Sequence, residues 1–183
     1  MRVNDRFGVL AVAVITGVAA GCGTLRVSSY EWPAAEFGRY RTFAWAAQER
    51  LSTGDPRLDN NEIFRAGVRR AVERELAPRG LDRVEPEGAD LLVHVHAHID
   101  QRIESRNLER DIAVCAPGAC GPYVWEAGTL LLDLVDRRTD AVVWRGWAEG
   151  SLDGAIDDQA RLEQTVDDAV AKILARLPRG DRR

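Results

Sequence analysis

Apolar and polar positions alternate most regularly between Gly128 and Gly150, GTLLLDLVDRRTDAVVWRGWAEG. Two apolar runs, Thr129–Val135 and Ala141–Glu149, flank the polar cluster Asp136 to Asp140, which is the pattern of a β-hairpin with a five-residue connection. A period of two then sorts the side chains. Leu130, Leu132 and Leu134 share one face with Val142, Trp144 and Ala148, while Leu131, Asp133, Val135, Val143, Arg145, Trp147 and Glu149 share the other. The first face is nearly all apolar, so the hairpin requires helices over it and seeds the core.

The rest of the chain supplies those helices and further strands. Leu25–Tyr30 and Arg41–Ala46 read as strands, and the polar stretch 47–59, with Gly54 and Pro56, as a loop. From a cap at Asn60 or Asn61, the residues Ile63, Phe64, Gly67, Val68, Ala71, Val72 and Leu76 recur at helical spacing until Pro78 and Gly80 stop them. Leu91–Ile99 is a strand whose odd positions are all apolar and whose even positions carry His94, His96 and His98. Residues 100–124 read as an overhanging extension of the neighbouring strands, with Cys115 and Cys120 closing its tip. Asp153–Leu177 reads as a second amphipathic helix with Ile156, Leu162, Val166, Ala169, Val170, Ile173 and Leu177 on one stripe, ended by Pro178. The expectation is an α+β fold in the order β-β-α-β-β-β-α: a mainly antiparallel sheet of four to five strands with both helices on one face. A single domain spans residues 25–178, and residues 179–183 form a tail.

The first 21 residues stand apart from this domain. Arg2 and Arg6 precede an uncharged run of 14 residues, Phe7–Ala20, which is shorter than the roughly 20 apolar residues a bilayer-spanning helix needs and fits an export signal. The ending Ala19-Ala20-Gly21-Cys22 resembles the lipobox of bacterial lipoproteins, with Ala19 where that motif usually has Leu. The resemblance implies that Cys22 becomes the lipid-modified first residue, followed by the short tether 23–24. Because the next residue is Gly23 and not Asp, it also implies an outer-membrane location facing the periplasm. The competing reading is an ordinary cleaved signal followed by a free cysteine.

Cysteine count and charge change the picture further. Of three cysteines, lipidation of Cys22 leaves Cys115 and Cys120, an even pair in an oxidising compartment, with Pro117-Gly118 making a tight turn between them. Two free thiols or half of a metal site are the alternatives. The chain has 25 basic and 29 acidic residues; losing residues 1–21 removes two Arg and one Asp and leaves a net charge of −5. That balance excludes a nucleic-acid surface and leaves the lipid as the sole membrane attachment.

Candidate chemistry is sparse. Alternate strand residues lie about 6.5–7 Å apart on one face, so two of His94, His96 and His98 could share a zinc ion if Asp133 or Glu149 closed the site. Strand pleating spreads all three over about 13 Å, and a half-exposed polar face gives the same pattern, so no metal or other cofactor is expected. No serine sits in a nucleophile-elbow context, no glycine-rich phosphate loop exists, and no enzyme activity is expected. Trp45 and Trp144 read as core. Trp147, beside Arg145 and opposite Asp133, reads as an interaction surface shared with His94, His96 and His98. The leading expectation is a non-enzymatic envelope lipoprotein that binds an envelope protein partner; the alternative is a metal- or small-ligand-binding module using the histidine face.

Several landmarks occur in a characteristic order: Tyr40, Thr42, Phe43 and Trp45; Ala89-Asp90-Leu91; Gly128-Thr129-Leu130 with Asp133 and Asp136; Val143 to Gly146 with Ala148 and Gly150; and a last helix ending at Pro178. This order resembles bacterial lipoproteins of domain-of-unknown-function family 4136 over about residues 25–178. The resemblance implies location and fold and transfers no catalytic residue.

Overall fold

In a computed structural model, residues 25–33, 35–47, 52–59, 61–104 and 123–178 are described. Six strands and two α-helices follow in the order β1 (Arg26–Glu31), β2 (Thr42–Trp45), α1 (Glu62–Leu76), β3 (Asp82–Arg83), β4 (Leu91–Glu104), β5 (Tyr123–Asp136), β6 (Ala141–Ser151) and α2 (Gln159–Leu174). They form one sheet with strand order β1-β6-β5-β4-β2-β3.

The α+β class and the two helices agree with the sequence reading, but the sheet is mixed and has six strands. Pairings β1–β6, β6–β5 and β5–β4 are antiparallel, whereas β2 runs parallel to both β3 and β4. Parallel neighbours need a long crossover, and α1 supplies it between β2 and the strands that follow. β3 was missed because it is two charged, exposed residues with no apolar pattern; main-chain bonds from Asp82 N to Arg41 O (2.8 Å) and Val84 N to Phe43 O (2.9 Å) create it. The extension read into residues 100–124 is real at its base, since β4 runs to Glu104 and its register with β5 reaches Tyr123. Cys22, Cys115 and Cys120 lie outside the described residues.

One sheet face carries Phe43, Leu91, Val93, Leu130, Leu132, Leu134, Trp144 and Ala148, all buried, and both helices cover it. Val68, Ala71, Val72 and Leu76 of α1 and Leu162, Val166, Ala169, Val170, Ile173 and Leu174 of α2 complete this core. Ile63, placed on the apolar stripe by its spacing, is instead 56% exposed in the first turn. Asn61 caps α1, its side chain accepting from the N–H groups of Ile63 (3.0 Å) and Phe64 (3.1 Å), and Gly80 takes a left-handed conformation (φ 78°) just beyond the helix. The second helix is shorter than residues 153–177. Residues 153–157 form turns, and Asp158 caps α2 by accepting from Arg161 N at 3.1 Å. Its apolar stripe continues backward through Ile156 because the turn itself is packed into the core.

The hairpin departs from strict period two at one place. The register shifts between Leu134 and Val135, so that Leu134 opposes Trp144 and Val135 opposes Val142, with Val143 left over as a bulge. Val143 is therefore 5% exposed and Val142 37% exposed, the reverse of the sequence expectation.

Candidate functional site

The sheet face opposite the helices holds the residues the sequence singled out, and the register places them in rows. Across β4, β5, β6 and β1 one row reads His94, Asp133, Arg145, Tyr30; the next reads His96, Leu131, Trp147, Ser28; a third reads His98, Thr129, Glu149, Arg26. Directly opposed residues in antiparallel strands have Cβ atoms about 4.5–5.5 Å apart, so each row is a chain of contacts.

Asp133 is the centre of this face. It is 4% exposed, and a carboxylate so buried requires a partner. Arg145 provides it with a two-pronged bond, Nε to Oδ1 at 2.6 Å and Nη2 to Oδ2 at 2.7 Å. Hydrogen bonding to Asp133 pushes the Arg145 guanidinium above its already high ordinary value, and the Arg145 side chain stays 45% exposed. His96 Nε2 lies 3.7 Å from Asp133 Oδ2, on the flank that Arg145 leaves open. The structure thus brings Asp133, Arg145 and His96 together, with Trp147 partly buried one row away. His98 is separate, its Nε2 2.9 Å from Asp100 Oδ1, and Glu149 accepts from Arg102 at 2.5 Å. Among the described residues, no three His, Cys, Asp or Glu side chains are placed to hold a metal ion.

Arginine fixed by a buried carboxylate, beside a tryptophan and a tyrosine that is 54% exposed, has the composition of an interface centre. Tyr30, Trp32 (55% exposed) and Val142 were not assigned to this surface from sequence. Tyr30 and Trp32 share parity on an edge segment, which was a legible signal; Val142 owes its exposure to the bulge, which was not.

Two other polar clusters are structural. Asp136 accepts from Tyr40 Oη (3.0 Å), from the N–H groups of Arg138 (2.9 Å) and Thr139 (3.0 Å), and from Arg39. Arg57 binds Asp55, Glu126 and Asp157, joining the loop of residues 52–59 to β5 and to the connection before α2.

Among the described residues no helix is long and apolar enough to cross a membrane. No curated protein matches the chain. A DUF4136 family protein of Bacteroides thetaiotaomicron has a similar fold, with TM-score 0.58 at 14% identity, covering 87% of this chain and 98% of that one. A PDZ domain protein of Parabacteroides distasonis matches with TM-score 0.54 at 15% identity over 84% of this chain, which spans only 36% of that protein. The family model described as a domain of unknown function, DUF4136, matches residues 27–179, and the chain belongs to that family.

Proposed function

We propose that this chain is a non-enzymatic envelope lipoprotein, exported by residues 1–21, lipidated at Cys22 and held at the outer membrane facing the periplasm. Its helix-free sheet face docks another envelope protein. The observation that carries the docking reading is the cluster of Arg145, Tyr30 and Trp147 around a buried, charge-matched Asp133, on the face opposite both helices. An arginine held by a two-pronged bond loses little freedom on binding, and aromatic rings add apolar area at low entropic cost. A Cys115–Cys120 disulfide at the tip of the overhang completes the proposal. The alternative, a metal or small ligand on His94, His96 and His98, has less support because His98 is engaged with Asp100, away from the His96–Asp133 pair.

The test is site-specific photocrosslinking in intact cells. A photoreactive residue at position 147 is expected to capture a discrete protein partner, and Arg145→Ala is expected to reduce the yield several-fold. The same probe at Arg70, an exposed residue of α1, should capture nothing in common with it. Identical products from both positions would sink the docking reading.

A further inference from the structure

Among the described residues, one buried side-chain polar atom has no hydrogen-bond partner: Arg65 Nε. Buried polar groups are nearly always paired, and a charged one left unpaired carries a desolvation cost that a bound ligand can offset. The Arg65 side chain, in the first turns of α1, is 16% exposed. Its Nη2 donates to Glu62, a side chain 75% exposed, so that pair lies toward solvent and leaves Nε unanswered.

Arg65 lines a pocket where β2 ends and β4 runs on. β2 pairs with β4 only from Leu91 to Val93, and after the bond from Ala46 N to Val93 O (3.1 Å) the chain leaves the edge of β4. Trp45, Arg65, Arg69, His94 and His96 supply the polar and aromatic lining of this pocket, and no Asp or Glu is among its described lining residues. The neighbouring carboxylates are occupied: Glu73 accepts from Trp45 Nε1 (2.9 Å) and lies 3.4 Å from Arg83, and Asp133 is held by Arg145. The Arg69 guanidinium rests over the Trp45 ring at 5.2 Å, and no carboxylate of the described residues pairs with it. The cavity is about 70 Å³. A single water occupies about 10–15 Å³ on this scale, whereas sites for drug-sized ligands run to roughly 300 Å³ or more, so the occupant is small.

We propose that this pocket binds a phosphate or phosphate-ester group, with Arg65 and Arg69 as the charge-bearing donors. Two guanidiniums one helical turn apart on α1 offer more N–H donors than a carboxylate's two oxygens use, which favours an oxyanion with three or four oxygens. This site adjoins the Asp133–Arg145 face, since His94 and His96 belong to both, and it stands whether or not Cys22 is lipidated.

Thermal melting of the purified full chain in inorganic phosphate, against chloride at matched pH and ionic strength, tests it. A ligand that binds only the folded state raises the melting temperature saturably, here by several degrees. The rise should vanish in Arg65→Met and in Arg69→Met and persist in Arg74→Met, whose native side chain on the same helix pairs with Asp167 outside the pocket. Acetate should give no comparable rise. Glycerol 3-phosphate distinguishes the sources: binding tighter than inorganic phosphate assigns an ester such as a lipid headgroup, and equal binding assigns free phosphate. Equal melting temperatures in phosphate, chloride and acetate, or a phosphate-induced rise that survives in Arg69→Met, would overturn the proposal. If Arg65→Met does not fold, Arg69→Met decides alone.

Discussion

At the scale of single residues, two carboxylates fix the local course of the chain. Asp90 accepts from the N–H groups of Arg41 (2.8 Å) and Thr42 (3.1 Å) while its own N–H donates to Thr42 Oγ1 (2.9 Å), a latch that starts the parallel pairing of β2 with β4. Asp136 does the same for the turn between β5 and β6. Burial pushes its pKa up, but hydrogen bonds from Tyr40, from the backbone of Thr139 and Arg138, and from Arg39 outweigh that and hold it below the ordinary carboxylate value. Asp136→Ala strips these donors of their acceptor in a site only 3% exposed and is expected to cost about 2–4 kcal/mol in urea denaturation. Because the folded-state pKa is depressed, the stabilisation is complete above the unfolded-state value and is lost as pH falls through the folded one. The gap between wild type and Asp136→Ala should therefore hold from neutral pH down to the ordinary carboxylate range and close below it. A gap that stays constant through acid would refute the charged role.

At the scale of elements, what was legible in the sequence was whatever a regular period encodes. The apolar face of the hairpin, the stripe of α2 and the alternation of β4 all follow from spacing, and the structure buries them together. The parallel pairing of β2 was not legible, because it depends on where α1 returns the chain; β3 has no apolar residue to announce it. The bulge at Val143 escaped because a one-residue insertion leaves composition unchanged while turning Val142, on the hairpin-turn side of it, to the other face. In the candidate face, Asp133, Arg145 and Trp147 were placed by parity, whereas the closeness of His96 to Asp133 depends on the β4–β5 register, which no local pattern specifies. Gly146 shows how tightly helix and sheet are matched. A Cβ there would lie 2.3 Å from the Trp144 ring and 2.7 Å from Ile173 Cγ2, so the approach of α2 to β6 requires glycine. Gly146→Ala is expected to destabilise by about 1–3 kcal/mol through overpacking, read as a lowered urea midpoint at unchanged slope. A midpoint equal to wild type would show that α2 can yield.

At the scale of the whole molecule, the orientation of the domain follows from how the chain enters it. Leu25, the first described residue, packs on the backbone of Gly150, where an added Cβ would come within 2.6 Å of Leu25 Cδ2. Two residues separate Leu25 from Cys22, a reach of roughly 10 Å, so under the proposed anchoring β1 and the end of β6 lie next to the bilayer. Neither described helix crosses a membrane, and the net charge of −5 after loss of residues 1–21 gives no electrostatic attraction to anionic lipid. Membrane attachment then rests on acyl chains alone, each buried CH₂ contributing about 0.8 kcal/mol. Cys22→Ala is accordingly expected to move the protein from the membrane pellet to the soluble fraction, or to leave an uncleaved precursor held by Phe7–Ala20. Mass spectrometry of the amino terminus separates these outcomes. A mature-sized Cys22→Ala protein that still sediments with membranes in 1 M salt would mean that some other surface holds the bilayer. The lipid anchor would then be withdrawn, while the docking face, which depends only on β1, β4, β5 and β6, would remain to be tested by crosslinking.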